Sequence, residues 1–194
     1  MTAFMSLWLP IVVSTVAVFV ASSLINTVLP WHKKDFAKVS DEEGVRRVMK
    51  PMALQPGEYM VPHCDAKERS SPEHIAKMTE GPVMFMTVLP NGAPSMAKPL
   101  VQWFVFCLLI SGVAGCMAGM VLAPGADGRD VFHYTAMTAF LAYVVAVWQM
   151  SIWYGRSWTA AFKTTIDGLI YALITGAIFM WLWPAADAAA SLLK

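Results

Sequence analysis

Residues 99–126 read PLVQWFVFCLLISGVAGCMAGMVLAPGA, a run without a single Asp, Glu, Lys or Arg. About 20 apolar residues in a helix span the hydrocarbon core of a bilayer, so this run by itself predicts a transmembrane helix. Three further stretches share the property: Met1 to His32, Val131 to Gly155 and Gly168 to Ala186. Most of the charge sits between Pro30 and Lys98. In the 194-residue chain 57% of residues are hydrophobic and 14% charged, against about 25% charged in ordinary soluble domains. The expected fold is an all-α membrane protein. It is a four-transmembrane-helix bundle with a small α+β cytoplasmic lobe between helices 1 and 2. The expected boundaries are 4–29, 99–122, 132–153 and 165–183 for the helices and 30–98 for the lobe.

The first apolar stretch has no Lys or Arg ahead of it, is longer than a secretory core, and is followed by His32-Lys33-Lys34. It therefore reads as a retained helix rather than a signal peptide, although Ala21-Ser22-Ser23 imitates a cleavage site. Four crossings put residues 30–98 and the turn near Tyr154 to Thr164 on one side. Lys33, Lys34, Lys38, Lys98, Arg156 and Lys163 flank the helices there, against Arg129 and Lys194 on the other side. The positive-inside rule makes the first side cytoplasmic and leaves both termini outside.

Within the lobe, Ser40 and Glu43 have capping-box spacing, so residues 41–50 read as a helix that Pro51 stops. Ser71-Pro72-Glu73 opens a second helix ended by Gly81. Glu58 to Val61 and Val83 to Leu89 read as extended. Some 65 residues with few large aliphatics form a marginal core, which calls for docking on the membrane helices or on a partner.

Polar residues inside the apolar runs carry the functional information. Asn26, Gln102, Gln149 and Asp167 all thread to the cytoplasmic half, at the level of His32, Arg156 and Lys163. Asp167 can meet Lys163 one helical turn earlier or Arg156 across the turn, and an ionisable group at that depth is a functional-site candidate. The structural alternative is a helix-start acid complementing the dipole, with amides joining helices. Ser111, Gly115 and Gly119 on the second helix, and Gly168, Ala172 and Gly176 on the fourth, repeat at four-residue spacing. Such small residues let two backbones approach, in the bundle itself or between copies, and the intramolecular reading is preferred.

Cys64, Cys107 and Cys116 have no zinc or CxxC spacing and read as free thiols. His63, Cys64, Met84 and Met86 are the only soft-metal candidates, with packing methionine as the simpler reading, so no metal is expected. No cofactor is expected beyond bound lipid. Haem would need histidines well inside the helices, and the four histidines lie at or beyond helix ends. No nucleophile elbow, P-loop, dinucleotide fingerprint or HExxH is present, so no catalytic residue is assigned. A net charge of +1 with no basic tract excludes a nucleic-acid footprint.

The segments Leu29-Pro30-Trp31-His32, Phe85-Met86-Thr87-Val88-Leu89-Pro90, Gln149-Met150-Ser151-Ile152-Trp153-Tyr154 and Asp167-Gly168-Leu169-Ile170-Tyr171 resemble a group of uncharacterised small bacterial inner-membrane proteins with four predicted transmembrane helices. The resemblance covers nearly the whole chain and implies a bacterial plasma membrane, without an activity to carry over. Two functional readings remain. One is a non-catalytic membrane component (accessory subunit, assembly factor or scaffold) whose partners are lipid, other membrane-protein subunits or further copies of itself. The other is a small transport or proton-handling unit built around Asp167, Gln149 and Gln102.

Overall fold

The computed structural model describes residue 2 and residues 4–186. In chain order the elements are α1 (Trp8–Val28), α2 (Glu42–Met49), β1 (Gly57–Val61), α3 (Pro72–Glu80), β2 (Met84–Val88), α4 (Ala97–Val121), α5 (Gly128–Val144), α6 (Trp148–Tyr154) and α7 (Trp158–Leu182). The chain divides into two compact units, residues 37–94 and the remainder.

Four helical spans are long and apolar enough to cross a membrane: Met5–Val28, Ala97–Val121, Gly128–Tyr154 and Trp158–Leu182. Helix α1 packs on α4 and α7, and α5 packs on the same two, which closes a four-membered ring. Sequential spans run antiparallel. At one end the Thr2 amide donates to the Gly119 carbonyl (2.8 Å) and the Gly125 amide to the Pro184 carbonyl (2.8 Å). Toward the other end the Trp103 indole donates to Ser22 Oγ (2.8 Å) and joins α4 to α1.

The ring is filled by small and hydroxylated side chains. Ser14, Thr15, Val18, Ser22 and Ile25 of α1 are buried, whereas Val12, Val16, Val20 and Leu24 of the same helix face out. A water-soluble bundle has the opposite arrangement, with its bulky apolar stripe inward. The buried hydroxyls of Thr15, Thr135 and Thr175 donate to backbone carbonyls one turn back, at 2.7, 2.7 and 2.9 Å. Each of these three hydroxyls is thus satisfied inside its own helix, as hydrocarbon requires.

The spans depart from the expected boundaries where a charged residue stands at the edge of an apolar run. Helix α7 begins at Trp158 rather than at Thr165, because Lys163 and Asp167 bound an apolar run without ending a helix. Gly155, at φ +66°, closes α6 in the left-handed region, and a new helix starts within a few residues. The third span is interrupted: α5 stops at Val144, and a 3-10 turn over Val145–Val147 leads into α6. Periodicity in an all-apolar run cannot register such a change of helical pitch.

The 37–94 unit is the α+β lobe. Asp41, rather than Ser40, caps α2 by accepting from the Gly44 amide at 2.8 Å. Ser71 caps α3 by accepting from the His74 amide at 3.2 Å, with Pro72 in the first turn and Gly81 at its end. Strands β1 and β2 pair antiparallel, with Tyr59 opposite Met86 and Val61 opposite Met84. No residue from 37 to 94 is buried. The segment Pro30 to Phe36, expected in the lobe, belongs to the helical unit.

Candidate functional site: a charged cluster on α7

After α1 the chain leaves its helix at Leu29 and makes a 3-10 turn over Pro30–His32, with Pro30 opening it. The Asp35 amide donates to the His32 carbonyl, which returns the Asp35 side chain to the imidazole. His32 Nδ1 lies 2.6 Å from Asp35 Oδ2, and His32 Nε2 lies 2.8 Å from Asp167 Oδ2 on α7. One turn earlier on α7, Lys163 Nζ donates to Asp35 Oδ1 (2.5 Å) and to the Trp31 carbonyl. Residues four apart share a helix face, so Lys163 and Asp167 grip the turn at two points.

The cluster is largely dry, the Asp167 side chain being 7% exposed and those of Asp35, His32 and Lys163 between 12% and 20%. A neutral imidazole has one N–H and two carboxylates here require one each, so the geometry favours imidazolium. Burial opposes that charge, but hydrogen bonds to Asp35 and Asp167 outweigh it and hold the His32 pKa above its ordinary value. Lys163, and after it His32, holds Asp35 below the usual carboxylate range. With Lys163 and His32 positive and both aspartates negative, the cluster is neutral as a whole. Asp167 Oδ1 and the Trp31 indole nitrogen are buried without a hydrogen-bond partner.

The structure joins three of the expected polar residues, His32, Lys163 and Asp167, and corrects their pairing. Lys163 binds the 30–36 turn rather than Asp167, and the partner of Asp167 is His32 rather than Arg156, which is exposed. Gln102 and Gln149 face outward, and Asn26 donates to the Ser22 carbonyl of its own helix (2.9 Å). The sequence does not single out Asp35, because it stands among the charges that follow α1. Its one signal is the three-residue spacing from His32 after Pro30.

Arg156 lies at a separate cavity of about 330 Å³, shared with Trp103, Phe106, Tyr143, Gly168 and Tyr171. Three of those aromatic rings pack mutually, with Tyr143 and Tyr171 centroids 5.4 Å apart and Trp103 about 6 Å from both. The small-residue stripes are both buried inside the ring. A Cβ on Gly168 would sit 2.4 Å from Val144, and one on Gly176 would sit 2.8 Å from Ala136 and Phe132. Ser111 and Ala172 are buried along the same stripes, and Gly115 and Gly119 approach Phe179 and the Thr2 carbonyl.

In the lobe, Cys64 Sγ lies 3.3 Å from His74 Nε2, and His63 is exposed. Met84 and Met86 stand opposite β1 residues, and among the described residues no three His, Cys, Asp or Glu side chains are grouped to hold a metal ion. No protein-family model matches the chain, and no curated protein or solved structure matches it either.

Proposed function

We propose that this chain is a non-catalytic integral membrane component, an accessory subunit, assembly factor or scaffold, whose lobe is completed by another subunit of a larger membrane complex. The observation that carries this reading is the lobe's lack of any buried residue. Folding costs about 1–2 kcal/mol of backbone entropy per residue, which burial must offset. The lobe leaves Val48, Ile75, Phe85 and Leu89 between 48% and 72% exposed. So many large apolar side chains left in water by so small a unit point to a surface that another protein covers. Arg46, Arg47 and Lys50 line a groove of about 630 Å³ beside Glu43, which suits an acidic partner surface. The resemblance supports a bacterial plasma membrane, and the flanking lysines and arginines support a cytoplasmic lobe with both termini outside.

Hydrogen exchange tests the reading. Amides of residues 37–94 should be protected in native membranes and lose protection once the tagged chain is purified alone in detergent. A defined complex in mild detergent should restore it. Equal protection in both states, with the chain as a solitary oligomer, overturns the proposal.

A further inference from the structure

We propose that Asp35, His32 and Asp167 form a one-proton binding site that locks the turn after α1 onto α7 and releases it when the proton leaves. The inference stands on the helical unit alone and is independent of what covers the lobe.

With the proton bound, the imidazolium donates to both carboxylates, Nδ1–H to Asp35 and Nε2–H to Asp167. Every charge in the cluster then has an opposite neighbour. When the proton leaves, a single N–H remains. The shorter contact, within the turn itself, keeps it on Nδ1 facing Asp35. The Nε2 lone pair then faces the Asp167 carboxylate at 2.8 Å with no hydrogen between them. Asp167 Oδ1 has no donor of its own, so deprotonation leaves a buried carboxylate without any hydrogen bond. A buried ion in that state is among the costliest arrangements in a protein. The cluster must recapture the proton or separate.

The groups around the site make this response specific to His32. From the turn it faces Asp35. From α7 it faces Asp167, with Lys163 committed to Asp35 and the Trp31 carbonyl. Tyr171 lies one turn beyond Asp167, α1 carries no ionisable side chain, and Lys33 and Lys34, which follow His32 in the turn, are exposed. The single Lys163 cation leaves the deprotonated cluster with net negative charge. Because Phe36 directly precedes the lobe, release of the turn loosens the start of the chain that enters the lobe.

The test is imidazole ¹⁵N NMR on the full chain in lipid nanodiscs, with the His32 signals assigned by their loss in His32→Gln. In the native chain His32 should keep both ring nitrogens protonated above histidine's ordinary value of about 6.5. In Asp167→Asn the same signal should turn neutral at lower pH. Amide exchange at residues 33–36, corrected for its intrinsic pH dependence, should quicken by up to about tenfold per pH unit between histidine's ordinary value of about 6.5 and the His32 titration, and level off above it. His32→Gln retains a side-chain N–H without a titratable proton, so its exchange should not change with pH. If Asp167→Asn fails to assemble, the native titration and the His32→Gln control decide. A His32 that is neutral by about pH 6.5, or exchange in the native chain that is as insensitive to pH as in His32→Gln, overturns the proposal.

Discussion

His32 has two ring nitrogens and two carboxylates to serve, and this count governs what pH does to the bundle. Its raised pKa means that its contribution to stability is complete below the ordinary value of 6.5 and is lost as pH rises through the folded value. Asp35, held low by Lys163 and His32, contributes above the ordinary value of 3.8 and loses that contribution as pH falls through its depressed value. Both are fully in place between 3.8 and 6.5. Thermal unfolding in detergent should therefore show its highest midpoint in that window, and His32→Gln should flatten the upper edge. At Asp167, Asn keeps an oxygen for the imidazole N–H while Leu leaves that donor buried and unpaired. Asp167→Leu should cost about 1–3 kcal/mol more than Asp167→Asn, read from the same unfolding curves. That Asp167, His32 and Lys163 share one level of the bundle was legible in the sequence, because ionisable residues at the edge of an apolar run are few. Their pairing was not legible. Lys163 is four residues from Asp167, but its ammonium reaches across to a turn more than a hundred residues distant in the chain.

Between helices the deciding contacts are those of residues without side chains. Gly176 faces Ala136 and Phe132 of α5 so closely that any Cβ must displace them, whereas Gly112 has nothing within 4 Å. Gly176→Leu should therefore destabilise the bundle by about 1–3 kcal/mol through overpacking. Gly112→Ala should leave the stability unchanged or raise it by up to about 1 kcal/mol from helix propensity. Unfolding of both variants in one detergent checks the contrast. The four-residue spacing of Gly168, Ala172 and Gly176 disclosed the small-residue face, and the structure supplied α5 as what it packs against. The break between α5 and α6 was hidden, since Val144 to Trp148 is as apolar as the turns on either side and carries no proline or glycine. Gly155, by contrast, ends α6 with the residue type that favours the left-handed region, while the start of α7 at Trp158 was not read from the sequence.

For the whole molecule the charge flanks predict a sidedness that impermeant labelling checks. With the native cysteines replaced, a cysteine at Gly128 should react in intact cells and one at Ser70 should not, while reaction at Ser70 would reverse the orientation. Lys194, counted on the outer side, lies outside the described residues. What the sequence determined by itself is the number of long apolar helices, their up-and-down order and the separate polar lobe. All of these follow from local composition, because a run of about 20 residues without charge has one low-energy solution in hydrocarbon. Capping residues likewise announced α3, since a serine, a proline and a glycine act on their own backbone neighbours. Tertiary structure alone decided that the turn after α1 belongs with α7, that Asp35 completes the cluster, and that the lobe buries none of its residues. Those outcomes depend on which groups come within hydrogen-bond reach across the ring of helices, and on how much surface two short helices and two strands can cover. Distances and areas of that kind are properties of the packed chain and have no local trace in its residues.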